Sequence, residues 1–166
     1  MERVAPTDRR AAETLLFAFM ATVVMLFAGF TSAYLIRRTG ADWRALELPP
    51  LAYANTAVLL LSSVTLELAR RRPRGAWLAL TLGLGLAFLG GQLELWRELS
   101  GAGAFVTASP HGAFLFLLSG VHGLHLLGGL CALAWLWRRG ARVRLAAVYW
   151  HALFLTWLYV LFLLQR

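Results

Sequence analysis

Histidines are the side chains in this sequence best suited to chemistry, and three of them stand inside long apolar runs. His122 and His125 lie one helical turn apart in the stretch from Pro110 to Trp137, PHGAFLFLLSGVHGLHLLGGLCALAWLW, and His151 lies in the last apolar run. Imidazoles are uncommon at membrane depth and usually face protein rather than lipid. Five glycines accompany the first pair, Gly112, Gly120, Gly123, Gly128 and Gly129, and small residues admit a neighbouring helix closely. Such a helix is packed on both sides within a bundle.

Two chemistries are open to these imidazoles: haem ligation, or hydrogen bonding inside the bundle. A membrane b-type cytochrome needs two axial histidines at matching depth on facing helices. His125 precedes Arg138 by thirteen residues, about 20 Å of helical rise, whereas His151 follows Arg144 by seven, about 10 Å from the same end. A mismatch of about 10 Å is too large for one iron and favours hydrogen-bonded histidines. The single cysteine, Cys131, cannot hold an iron–sulfur cluster or a structural zinc and reads as a small buried hydrophobe. No serine–histidine–acid grouping stands at a common depth along the sequence, and no glycine loop is built for phosphate.

Two acids come near the apolar runs. Glu67 precedes Arg70 and Arg71, and Glu94 precedes Arg97, at the three- and four-residue spacings that allow pairing on one helix face. Glu67 reads as a span-end residue reaching the interface. Glu94 and Gln92 are flanked by Gly90, Gly91 and Trp96, where glycines let a neighbour approach the polar groups. A proton pathway needs ionisable groups through a span, and the first run has none. The histidines and acids therefore suit helix packing, lipid headgroups or a partner.

The elements that position them follow from composition. Of 166 residues, 60% are hydrophobic and 14% charged, with a mean hydropathy of +0.66, which is the composition of an integral membrane protein. About 20 apolar residues cross the hydrocarbon as a helix. Five segments meet or approach that length: Leu15–Ile36, Leu51–Ala69, Ala76–Trp96, Gly112–Trp137 and Leu145–Gln165. The fold class is accordingly all-α, five transmembrane helices in one bundle and one domain. The polar opening MERVAPTDRRAAET lacks the apolar core of a cleavable signal, so the first span is expected to be retained. Gly83, Ala87 and Gly91 on the third span, and Gly29 with Ala33 on the first, recur every fourth position and suggest close helix contacts.

A net charge of +8 comes from sixteen arginines and no lysine against eight acids. Clustered between apolar runs, the arginines suit headgroups and orientation rather than nucleic acid. Eleven lie on one side: Arg3, Arg9, Arg10, Arg70, Arg71, Arg72, Arg74, Arg138, Arg139, Arg142 and Arg144. The other side carries five, namely Arg37, Arg38, Arg44, Arg97 and Arg166. The positive-inside bias puts the N-terminus in the cytoplasm and the C-terminus outside. The longer connectors, Thr39–Pro50 and Glu98–Ser109, fall on the outer side, with Trp43 as an interfacial anchor.

Five blocks, one per span, carry a resemblance: LFAGFTSAYLIRR (Leu26–Arg38), NTAVLLLSSVTLELA (Asn55–Ala69), GLAFLGGQLELW (Gly85–Trp96), HGAFLFLLSGVHGLHLLGG (His111–Gly129) and AAVYWHALFLTWLYVLF (Ala146–Phe162). In this order they resemble subunit III of the haem–copper respiratory oxidases, in its five-span form. The resemblance implies a multi-pass subunit of the bacterial inner membrane with no catalytic residue and no metal or cofactor of its own. Haem and copper would reside in partner subunits I and II; a small subunit IV and a larger respiratory assembly are further implied partners. It implies a complex that oxidises cytochrome c, reduces O2 to water and pumps protons, with this chain stabilising subunit I and binding phospholipid. The residues matching the family's packing and lipid-facing set are Asn55, Gln92, Glu94, His122, His125, Trp150 and His151. Two positions depart from it: Val23 stands where many members carry a carboxylate, and Phe154 where many carry an aspartate. Quinol oxidases and nitric oxide reductases use the same architecture, while a b-type cytochrome anchor and a small transporter are the alternatives outside it.

Overall fold

A computed structural model describes residues 6–43, 47–71, 74–101, 110–140 and 143–165. Arg3, Arg44, Arg72, Arg142 and Arg166 of the arginine count, and residues 102–109 of the second long connector, lie outside the described residues. Five helices follow in order: α1 (Pro6–Arg37), α2 (Pro50–Arg71), α3 (Arg74–Gly101), α4 (Pro110–Arg138) and α5 (Arg144–Leu164). Three of them open on proline, whose fixed φ and missing N–H suit the first helical position. Beyond α4, Gly140 turns the chain with φ of +60°, a left-handed conformation that a residue with a Cβ resists. All five helices are long and apolar enough to cross a membrane. The all-α, five-span expectation holds.

Packing follows the polar contacts between neighbours. α2 and α3 form an antiparallel hairpin joined at intervals along their length: Asn55 Nδ2 donates to Phe88 O (3.1 Å), Ser62 Oγ donates to Thr81 O (3.0 Å), and the Thr65 and Thr81 hydroxyls meet at 2.9 Å. α5 closes on α2 through Trp157 Nε1 donating to Thr56 Oγ1 at 2.9 Å. α4 joins α3 through Trp96 Nε1 and Ser119 Oγ at 3.0 Å, and joins α5 through the Tyr149 hydroxyl donating to His125 O at 3.0 Å. α1 lies outside this four-helix group, against α4 and α5 alone. Its buried stripe is narrow, Val23, Phe27 and Tyr34, while Leu15, Phe17, Val24, Met25 and Ile36 are exposed. A Glu13–Arg144 ion pair and the Thr31–Tyr159 hydroxyl pair (2.8 Å) tie α1 to α5. Alternation of helix direction gathers Arg10, Arg70, Arg71, Arg138, Arg139 and Arg144 at one end of the bundle and Arg37, Arg38 and Arg97 at the other.

Close approach between helices uses only part of the every-fourth stripes, together with glycines outside them. A Cβ on Gly83 or Gly29 would meet nothing within 4 Å. One on Gly85 would lie 2.8 Å from Leu130 and 3.2 Å from the Trp150 ring, and one on Gly129 would lie 3.0 Å from Tyr149. Of the stripe on α3, Gly91 alone faces a neighbour, the Asn55 amide. The spacing says that small residues share a face, but not whether that face meets a helix or the surroundings. Cys131, expected to be buried, is exposed, because it lies on the outer side of α4 opposite Leu126, Leu130 and Leu133.

Candidate functional site: two polar groups in the bundle

Polar side chains at membrane depth gather in two places. The first is the interior among α2, α3, α4 and α5. Asn55 and Gln92 are 3% exposed and His122 is fully buried. The His122 ring packs on Trp157 (centroids 5.1 Å) and on Phe88 (5.8 Å), which touch one another edge to face at 5.1 Å. Asn55 has its partner in Phe88 O, whereas both polar atoms of the Gln92 amide and both ring nitrogens of His122 have none among the described residues. An unsatisfied buried polar group costs about 1–3 kcal/mol. Trp150 is buried as well, wedged between Gly85 and Gly129, with Nε1 unpartnered.

The second group lies at the arginine-rich end between α2 and α5. His151 Nδ1 and Ser63 Oγ are 2.8 Å apart, and His151 Nε2 stands 3.8 Å from Glu67 Oε2. Glu67 also accepts from Arg70 (2.6 Å) and Arg71 (3.0 Å). Ser63, Glu67, Arg71 and His151 line an open groove of about 450 Å³ together with Leu60, Val64, Leu68 and Phe154. A serine, a histidine and an acid do therefore meet in space, contrary to the reading of the linear sequence. Ser63 and His151 are 88 positions apart, and only the packing of α5 on α2 joins them. The grouping is not a hydrolytic triad. Its carboxylate is held by two guanidinium groups, and the imidazole lies beyond hydrogen-bond distance of it.

The remaining sequence candidates fall apart from these groups. Glu94 points outward, 61% exposed, and pairs with Arg97 at 3.2 Å, although Gln92 two residues earlier points inward. His125 faces α1: its Nδ1 donates to Val121 O at 2.7 Å, and its ring lies 6.1 Å from Phe19 and 6.2 Å from Phe27. His125 and His151 thus look toward different helices as well as standing at different heights. His111 was missed as a single residue, although its motif was read. It is buried, and Nε2 donates to Leu164 O at 3.1 Å, satisfying a carbonyl of the last turn of α5. Trp43, expected at the interface, packs on Tyr34 and His111 with centroids 5.1 Å away in each case. Among the described residues, no three of His, Cys, Asp and Glu converge as metal ligands.

Outside the spans, Arg37 forms a bidentate pair with Asp42 (2.8 and 2.5 Å) at the end of α1. Its hydrogen bonds hold the Asp42 carboxyl below the usual carboxylate range.

Comparison with known proteins yields no matching family model. Curated relatives do match. The chain is 30% identical over 89 residues to "Probable cytochrome c oxidase subunit 3" of Mycobacterium tuberculosis, covering 48% of this chain and 44% of that protein. It is 31% identical over 93 residues to "Cytochrome bo(3) ubiquinol oxidase subunit 3" of Pseudomonas aeruginosa (50% and 44%). It is 28% identical over 93 residues to "Probable quinol oxidase subunit 3" of Staphylococcus aureus (50% and 46%). The match spans somewhat less than half the length of these relatives. Over that length the chain is similar to the subunit 3 proteins of cytochrome c and quinol oxidases.

Proposed function

We propose that this chain is the subunit III component of a haem–copper terminal oxidase in a bacterial inner membrane. The carrying observation is the combination of oxidase subunit 3 relatives with five helices of membrane-spanning length. The chain would do no redox chemistry itself. Haem and copper would belong to subunits I and II, and this chain would support subunit I from within the bilayer. The arginine-rich end of the bundle would face the cytoplasm, with the N-terminus on that side and the C-terminus outside. Electron supply from cytochrome c is the first reading, and the quinol oxidase names among the relatives supply the second.

Asn55, His122, His125 and Trp150 would serve helix packing. Lipid binding would use the α2–α5 groove, where Leu60, Val64 and Leu68 form an apolar wall ending at Arg71. Arg71 is 74% exposed there and, while its Nε bonds to Glu67, the outer edge of its guanidinium would meet a phosphate. Acyl chain along the wall and headgroup at the guanidinium is the arrangement that such a groove favours.

Tagging this chain and extracting the membrane in mild detergent tests the reading. A haem- and copper-bearing protein should co-purify, and a partner with a CuA absorbance would mark the cytochrome c branch. Removing the chain should leave the haem spectrum intact while the oxidase inactivates faster during turnover. Recovery of the chain without any haem protein, or unchanged inactivation in its absence, overturns the proposal. A C-terminal tag cleaved from the cytoplasmic face would reverse the orientation.

A further inference from the structure

The interior of the bundle contains more polar capacity than the described side chains satisfy, and the excess is concentrated at one height. Two contacts across the α3–α4 interface bracket it: the Phe88 ring on the His122 ring, and Trp96 Nε1 on Ser119 Oγ. Gln92 lies one turn from Phe88 and one turn from Trp96, on the same face of α3. In an antiparallel pair that places Gln92 level with the turn of α4 running from Ser119 to His122. Both side chains are at least nine-tenths buried, and each has every polar atom unpartnered. Neither can reach the surroundings, since Trp157 and Phe88 cover the imidazole.

On the α4 side, Gly120 and Gly123 stand beside His122 with no side chain of their own. A Cβ on Gly120 would lie 3.4 Å from the Trp96 ring and one on Gly123 3.7 Å from Leu89, so the two glycines let α3 side chains come close to the α4 backbone on either side of His122.

We propose that Gln92 and His122 together hold an internal water within the α3–α4 interface, an ordered site sealed from both membrane faces. The chemistry matches. A neutral imidazole presents one donor and one acceptor, and a primary amide presents two donors and one acceptor. A water molecule accepts from one of these and donates to another, and buried waters commonly make about three such bonds. Apolar packing would leave both residues unmet, whereas water converts them into a bridge between the two helices. The unpartnered Trp150 and Tyr34 groups stand near other helix levels and take no part: Trp150 faces Gly85, two turns below Gln92, and Tyr34 packs on Trp43 and Phe114. This site is independent of which oxidase the chain serves.

X-ray radiolytic labelling in water enriched in oxygen-18 tests the site on the full chain in lipid nanodiscs. Hydroxyl radicals arise where water is bound, so the adjoining rings of Phe88 and Trp157 should acquire the label although they are 0% and 2% exposed. Tyr53, 50% exposed at the start of α2, is the accessible reference. Gln92→Leu combined with His122→Phe removes every polar partner, and the label on Phe88 and Trp157 should then be lost while that on Tyr53 persists. Unlabelled Phe88 and Trp157 in the unaltered protein would overturn the proposal, a result that stands even if the double variant fails to insert. Labelling that persists in a folded double variant, or a density map with the Gln92 amide bonded directly to the His122 ring, would overturn it equally.

Discussion

Replacing Gly91 by alanine probes the tightest point of the α2–α3 hairpin. The new methyl group would lie 2.9 Å from Asn55 Cγ and 3.3 Å from Nδ2, with Oδ1 nearer still. Carbon atoms rest at about 3.5–4.0 Å, so the amide must move or the helices must part. Asn55 cannot turn toward the surroundings, being 3% exposed and donating to Phe88 O. Overpacking of this kind costs about 1–3 kcal/mol. Loss of the interhelical hydrogen bond adds about 0.6 kcal/mol, the average for such bonds in a bilayer. The better helix propensity of alanine returns about 1 kcal/mol. The balance is a destabilisation of about 0.6–2.6 kcal/mol. In an Asn55→Ala background the obstructing amide is gone, leaving the propensity gain alone, and Gly91→Ala should then be neutral or stabilising by up to about 1 kcal/mol. Reversible unfolding in mixed micelles, followed by circular dichroism through a double-mutant cycle, measures this change of sign. Gly83→Ala on the same helix has nothing within 4 Å and is the control. Equal effects of Gly91→Ala with and without Asn55 would refute the reasoning, because steric opposition between these two residues would then be absent.

Trp150→Ala should cost about 3–5 kcal/mol, since the ring fills the space left by Gly85 and Gly129. Trp135→Ala, 57% exposed, should change stability by no more than about 0.5 kcal/mol in the same assay, and equal losses would contradict the packing. At the end of α1, Asp42 has a carboxyl lowered by Arg37, so the pair orders the turn above the unfolded aspartate value. That contribution is lost as pH falls through the lower folded value. Hydrogen exchange at Trp43 N–H, which bonds to Gly40 O, should quicken across that acidic window, and Asp42→Asn should remove the pH dependence. A pH response that survives the substitution would assign it to another group.

Much of the architecture was legible from residue order because a bilayer penalises polar backbone so heavily that any long charge-free run must be a helix. Leu15–Ile36 needed no partner to be identified as a span, and Pro6, Pro50 and Pro110 mark helix starts for a local reason, the missing N–H. The separation of His125 from His151 was likewise a matter of counting residues along a helix of constant rise. Burial direction was not legible. Apolar residues cover all sides of a membrane helix, so the amphipathic stripe that orients a soluble helix is missing. That is why Gly83 and Cys131 were read as facing inward and turned out to face the surroundings.

Residue order alone determined the class, the five spans and the oxidase likeness, since each rests on local composition or short motifs within one helix. The tertiary structure decided which polar groups meet. Ser63, Glu67 and His151 form one cluster, and Gln92 shares a level with His122, only because α2 packs on α5 and α3 on α4. Spacing along one chain fixes height and face on a single helix. Proximity between helices depends on the rotation of each about its own axis, and that rotation is set by contacts such as Gly85 on Trp150 and Gly91 on Asn55.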